Sequence, residues 1–311
     1  MLVLFAVAGL LGVAPGGRLA LGPCAFADPV AKAECGTFAV PENRQEEGRT
    51  IALKIVVLRA SQIDRAEGAV FYLAGGPGDS ATRMAPALLD ARVRARRDIV
   101  LVDQRGTGGS HGLNCTLFDA GDLQSYLGAF LPISAVRRCR SELESQANLG
   151  LYTTSASADD LDEVRAALGY DRIDLSGASY GTRAALVYLQ RHGDHVRTVS
   201  LAGVAPTTDP LPLGFPQAAQ RALDGVLGEC LAEPACRAAF PEISSEAKAV
   251  FERLSRAPAE VEVAHPETKE PVKVELSHDL AAEAVRYLLY NPPVLIVSGE
   301  IAPTPETRNQ R

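Results

Sequence analysis

No cluster of lysine and arginine marks this chain. Its 31 basic residues are outnumbered by 38 acidic ones, for a formal net charge of −7. Nucleic-acid partners draw on clustered cations, so none is expected. The densest basic run, Arg92, Arg94, Arg96 and Arg97, reads as a solvated helix end. Also absent is an apolar run long enough for a stable membrane span. The N-terminal stretch Leu2–Ala14 has instead the length of a signal-peptide core, which makes residues 1–20 the expected signal peptide and a secreted or periplasmic site the expected location. The alternative is an uncleaved anchor, because no Lys or Arg precedes the run. There is no internal repeat and no low-complexity tract, which excludes a solenoid or a biased linker. No C-x-x-C pair supports a cysteine metal site, and neither a metal nor a cofactor is expected.

What is present is a globular composition, 47% hydrophobic and 22% charged. Six cysteines, an even number, suit an oxidising compartment. They fall into sequence-local pairs: Cys24 with Cys35, Cys115 with Cys139, Cys230 with Cys236. Beta-branched and apolar runs predict strands at Thr50–Leu58, Ala69–Leu73, Ile99–Val102, Ile173–Leu175, Val196–Leu201 and Pro293–Val297. Helical patterns lie between them, notably Ala158–Leu168, with Asp159 and Asp160 in its first turn, and Tyr180–Arg191. Strands alternating with helices imply a mostly parallel sheet. The order breaks after Pro206, where helical periodicity over Pro216–Leu254, a polar hairpin over Val261–Leu276 and a helix over Ala281–Tyr290 predict an inserted cap. The expected layout is a core over 21–205, a cap over 206–291 and a continuation of the core over 292–311. Phe215, Leu223 and Leu227 suit either a cap pocket or the packed face of a helix.

Three motifs carry chemistry. Gly177-Ala178-Ser179-Tyr180-Gly181 is a G-x-S-x-G placed directly after a predicted strand and before a predicted helix, the context of a nucleophile elbow. Ser179 is therefore the expected nucleophile. Gly75-Gly76-Pro77-Gly78 closes the strand Ala69–Leu73, where glycines let backbone N–H groups approach a developing oxyanion. The expected donors are Gly75 or Gly76 together with Tyr180. A phosphate loop is excluded, since no Gly-Lys-Ser/Thr follows and Pro77 lacks an N–H. The third motif, Asp103-Gln104-Arg105-Gly106-Thr107-Gly108, reads as structural, with Asp103 and Arg105 tying neighbouring loops together by charge-assisted hydrogen bonds.

Together with Ala74 and Thr182, these motifs resemble the proline iminopeptidase and tripeptidyl aminopeptidase group of secreted α/β-hydrolases. Glu34-Cys35-Gly36, Leu113-Asn114-Cys115 and the stretch from Cys230 to Pro241 extend the resemblance over about Gly22 to Tyr290. It implies an α/β-hydrolase fold with a helical cap, a peptide or small acyl substrate, and removal of residues from peptide N-termini through an acyl-enzyme on Ser179. Ala74 occupies a position where proline iminopeptidases carry His, which favours the tripeptidyl branch.

The resemblance also predicts an acid and a base that this sequence does not supply. Ala302 stands where the family has Asp, and no His follows His278. The final strand of the fold is missing from the pattern as well. His192 and His195 are expected at the end of the sheet opposite Ser179, and His265 and His278 in the cap. That leaves His111 as the candidate surrogate base, with Asp79 an acidic neighbour by the same positional argument. Three readings follow: a serine hydrolase of peptidase type, a degenerate copy that binds without turnover, and an esterase on the same fold.

Overall fold

The computed structural model describes residues 19, 21–24, 33–62, 67–119, 121–129 and 131–290. Of the expected signal segment only Leu19 is described, packed against the core, and the rest of that segment, the strand Pro293–Val297 and Ala302 lie outside the described residues. The described elements run β1 (Gly22–Pro23), β2 (Ala33–Pro41), β3 (Thr50–Leu58), β4 (Ala69–Leu73), α1 (Ala85–Leu88) and β5 (Asp98–Val102). Next come α2 (Leu123–Tyr126), α3 (Ile133–Glu144), α4 (Thr154–Leu168), β6 (Ile173–Ala178), α5 (Tyr180–His192) and β7 (Val196–Ala202). The remainder is α6 (Phe215–Ala232), α7 (Pro234–Ala239), α8 (Ile243–Arg256), β8 (Ala259–Ala264), β9 (Pro271–Leu276) and α9 (His278–Leu289).

Two compact units form, drawn from Met1–Asn114 with Leu143–Asp209 and from Cys115–Glu142 with Pro210–Arg311. The first is built on a sheet in the order β1-β2-β3-β5-β4-β6-β7. Its central strands β5, β4, β6 and β7 are parallel, while β1, β2 and β3 join by antiparallel pairing. Alternation along β3 and β5 feeds two cores. Ile51, Leu53, Ile55, Val57, Val100 and Val102 point to one face, where Leu161, Val164, Ala184 and Tyr188 of the helices pack. Val56, Leu58, Ile99 and Leu101 point to the other, against Ala81 and Ala85. Burial on both faces is what a βα-alternating sheet requires.

Strand β2 was not expected from the sequence, because Glu34, Gly36 and Pro41 dilute its apolar pattern. It is an outer strand, with only partial burial along most of its length, so its pattern need not be continuous. Helix α4 begins four residues before the expected start. The Thr153 hydroxyl accepts from the Ala156 N–H at 3.2 Å and caps the helix there, which moves Asp159 and Asp160 out of the first turn.

In the second unit α6, α7 and α8 follow one another and β8 pairs with β9 in an antiparallel hairpin. Glu275 N–H donates to Gln124, tying α2 to the hairpin. The three disulfides present are Cys24–Cys35, Cys115–Cys139 and Cys230–Cys236, the pairing expected from local spacing, and no described cysteine is free. No described helix is long and apolar enough to cross a membrane.

Candidate active site

Ser179 is the single residue between β6 and α5. Its backbone has φ 53° and ψ −124°, a region that a residue with a Cβ rarely enters and that typically costs about 1–3 kcal/mol. The turn is held from both sides. Ser179 N–H donates to the Ala202 carbonyl on β7 at 2.9 Å, and its carbonyl accepts from the Thr182 N–H at 2.9 Å and the Thr182 hydroxyl at 2.6 Å. The side chain is exposed and is not used to cap α5.

The flanking glycines are dictated by contact. A Cβ on Gly177 would lie 2.4 Å from the Gly181 carbonyl oxygen, and one on Gly181 would lie 2.0 Å from that of Leu73 at the end of β4. The helix can leave the sheet this sharply only if both positions lack side chains.

The glycine loop after β4 reaches the same place. A Cβ on Gly75 would be 3.4 Å from Ser179 Cβ and 3.3 Å from the Ala178 carbonyl oxygen, so this backbone runs in contact with the turn. Gly76 has φ 98°. Tyr180 is the first residue of α5, a position whose N–H has no intrahelical acceptor. Its hydroxyl meets the Thr154 hydroxyl at 2.6 Å. The structure thus brings Ser179, Gly75 and Tyr180 together, at the positive end of the α5 dipole.

His111 is not joined to that group. Its ring stacks on Tyr152, with centroids 6.0 Å apart, and among the described residues no hydrogen bond links it to Ser179. The stack covers one face of the imidazole. The Asp79 carboxylate lies 3.9 Å from the Cβ position of Gly75.

Asp103 and Arg105 are both buried and tie loops together, but not to each other. Asp103 accepts from the Ser80 hydroxyl at 2.8 Å, the Thr82 N–H at 2.8 Å and the Gly109 N–H at 2.8 Å. Arg105 donates to both oxygens of Asp160 at 2.7 Å and to the Glu42 and Leu151 carbonyls at 2.9 and 3.0 Å. Asp160 is the partner sequence reading missed, because a short helical carboxylate looks like a solvated one until a long-range contact is known. Beside it, burial alone would raise the Glu42 carboxyl. Hydrogen bonds from the Tyr152 hydroxyl and the Asn148 N–H, together with Arg49, instead hold it below its ordinary value. Burial and that carboxylate push the Tyr152 hydroxyl up.

A parallel-centred sheet with helices on it, and a strained serine between strand and helix beside a glycine loop, define a hydrolase-type α/β protein. Residues 68–256 match the family model described as alpha/beta hydrolase fold, and the chain belongs to that family. It is 29% identical over 299 residues to "Serine protease Hip1" of Mycobacterium tuberculosis, covering 87% of this chain and 56% of the relative. Over 231 residues it is 34% identical to "Carboxylesterase B" of the same species, covering 67% and 43%. To the "Tripeptidyl aminopeptidase" of Streptomyces lividans it is 30% identical over 202 residues, covering 57% and 36%. The chain spans about half the length of the curated relatives it matches.

Proposed function

We propose that the chain is an exported serine hydrolase of aminopeptidase type, tripeptidyl or prolyl, in which the Ser179 hydroxyl attacks a peptide carbonyl to form an acyl-enzyme. The observation that carries this is the strained Ser179 turn, with the side chain exposed and unused while its backbone is held by Ala202 and Thr182. Strain of this size persists where it positions a reacting group. Tyr180 N–H and the N–H of Gly75 or Gly76 are the donors for the oxyanion, a contribution typically worth about 10²–10³ in rate per donor. Export is supported by the three disulfides, which suit an oxidising compartment. The relatives named as a serine protease and a tripeptidyl aminopeptidase support a peptide substrate. The relative named as a carboxylesterase favours the esterase reading.

The test is prolonged incubation of the 311-residue chain with a fluorophosphonate, followed by peptide mapping and a comparison of tripeptidyl nitroanilides with short acyl esters. Label confined to Ser179, with faster release from the tripeptides, is the expected result. Faster ester release transfers the reading to an esterase, and a chain that carries no label but binds peptide is the degenerate copy.

A further inference from the structure

At the far end of α5 from Ser179, about 20 Å away along a 13-residue helix, three ligand-type side chains meet. Asp162 on α4, His192 closing α5 and His195 just before β7 place their ligand atoms within 4.8 Å of one another. We propose that these three residues form a site for a divalent transition-metal ion of the zinc class, with Asp159 supporting His192 from behind.

The tautomer of His192 carries the argument. Its Nε2 lies 2.9 Å from an oxygen of Asp159, and an ionised carboxylate only accepts, so the proton is on Nε2. In the neutral ring Nδ1 is then a bare acceptor. It faces Asp162 Oδ2 at 3.7 Å, too far for a hydrogen bond and with an acceptor on either side of the gap. Two opposed lone pairs are the arrangement a cation fills. A carboxylate behind a ligating imidazole is also the usual partner that fixes ring orientation and raises ligand basicity.

His195 completes the set. Its Nδ1 sits 2.8 Å from Asp162 Oδ1, and its ring lies 9° from parallel with that of His192, centroids 6.4 Å apart, so both Nδ1 atoms address one carboxylate. The His195 ring is accessible enough for its proton to move to a hydrated Nε2, which frees Nδ1 to ligate. Two imidazoles and one carboxylate suit zinc, cobalt or nickel, not the oxygen-seeking magnesium or calcium. Water would take the fourth position. Asp162 already accepts from Arg165 Nε at 2.7 Å and from the Tyr188 hydroxyl at 2.8 Å, and Arg191 pairs with Asp159 at 2.7 Å. Those cations oppose an incoming ion, so the affinity rests on the imidazoles. Bound metal would staple α4 to the end of α5.

Calorimetric titration of the metal-stripped chain with Zn²⁺ near neutral pH tests this. One ion per chain is expected, with affinity falling about tenfold or more in His192→Ala and in His195→Ala. Binding should be about 10–100-fold weaker in Asp159→Asn and unchanged in His278→Ala. If a variant does not fold, nitrogen chemical shifts of the wild-type imidazoles serve in its place, with Zn²⁺ moving Nδ1 of both His192 and His195. Absence of binding, binding that survives loss of both histidines, or a doubly protonated His192 that Zn²⁺ leaves unchanged would each overturn the proposal.

Discussion

The Arg105 guanidinium holds both carboxylate oxygens of Asp160 at 2.7 Å in a pair whose side chains are 1% and 2% exposed. Its remaining donors reach the carbonyls of Glu42 and Leu151, so one side chain joins the segment after β2, the loop after β5 and the approach to α4. Removing one partner of a buried pair strands the other charge, at a cost of about 3–5 kcal/mol. Asp160→Asn should lower unfolding stability by that order, and Arg105→Met by less because Asp160 keeps its ion pair with Arg44, both measured by denaturant titration. A loss near zero would mean that solvent reaches the pair.

The glycines of the serine turn predict a contrast. Gly181→Ala puts a methyl 2.0 Å from the Leu73 oxygen and forces α5 away from β4. It should cost at least the roughly 1–3 kcal/mol typical of overpacking. Gly228 sits mid-helix in α6 with nothing within 4 Å of its Cβ position. Gly228→Ala should therefore stabilise by about 0.5–1 kcal/mol. Thermal melts of the two variants check both signs.

The pH dependence around Glu42 follows from its lowered carboxyl. Burial opposes the shift, and the donors from Tyr152, Asn148 and Arg49 outweigh it. A carboxylate whose folded value lies below its unfolded one contributes stability that is complete above the unfolded value near 4.5 and is lost as pH falls through the folded value. Stability should decline below about pH 4.5, and Glu42→Gln should flatten that part of the curve. Denaturant midpoints of both proteins across the acid range measure it, and identical slopes would remove Glu42 from the account.

Disulfide mapping is the next expectation. Digestion without reductant should yield three linked peptides, Cys24–Cys35, Cys115–Cys139 and Cys230–Cys236. Reduction should destabilise the protein, since closing a loop of about 15 residues removes roughly 3 kcal/mol of unfolded-chain entropy in the simplest treatment. A crossed pairing would contradict both the structure and the export reading.

The serine turn was legible in sequence because its residues are contiguous, Gly177 being forced by the Gly181 backbone and Gly181 by the end of β4. The central strands were legible for a similar reason, being short β-branched runs bounded by breakers. What escaped depends on long-range pairing. Asp160 meets Arg105 and Glu42 meets Tyr152 across more than 50 positions, and β2 owes its order to pairing with β3 from Ala33↔Leu58 to Pro41↔Thr50. His192 was placed at the correct end of the sheet, yet its relation to Asp159 and Asp162 needed the packing of α4 on α5.

The last expectation concerns turnover by the 311-residue polypeptide. Ser179 is a weak nucleophile until a base takes its proton, and such help typically supplies about 10²–10⁴ in rate. Among the described residues no histidine is hydrogen-bonded to Ser179, and His111 is engaged with Tyr152. Ala302 occupies the position where the aminopeptidase resemblance predicts the acid. This polypeptide should therefore release nitroaniline from tripeptidyl substrates slowly, so that the rate Ser179→Ala removes is small in absolute terms. Oxyanion donors and binding together leave about 10³–10⁴-fold over water even when a serine enzyme loses its triad, so the residual rate should survive both changes. Fast turnover abolished by Ser179→Ala would show that a base does reach the hydroxyl, and His111→Ala then divides the outcomes. Loss of activity in that variant would make His111 the base despite its stacking, whereas retention would mean that the base is another residue and that His111 does not belong to the serine site.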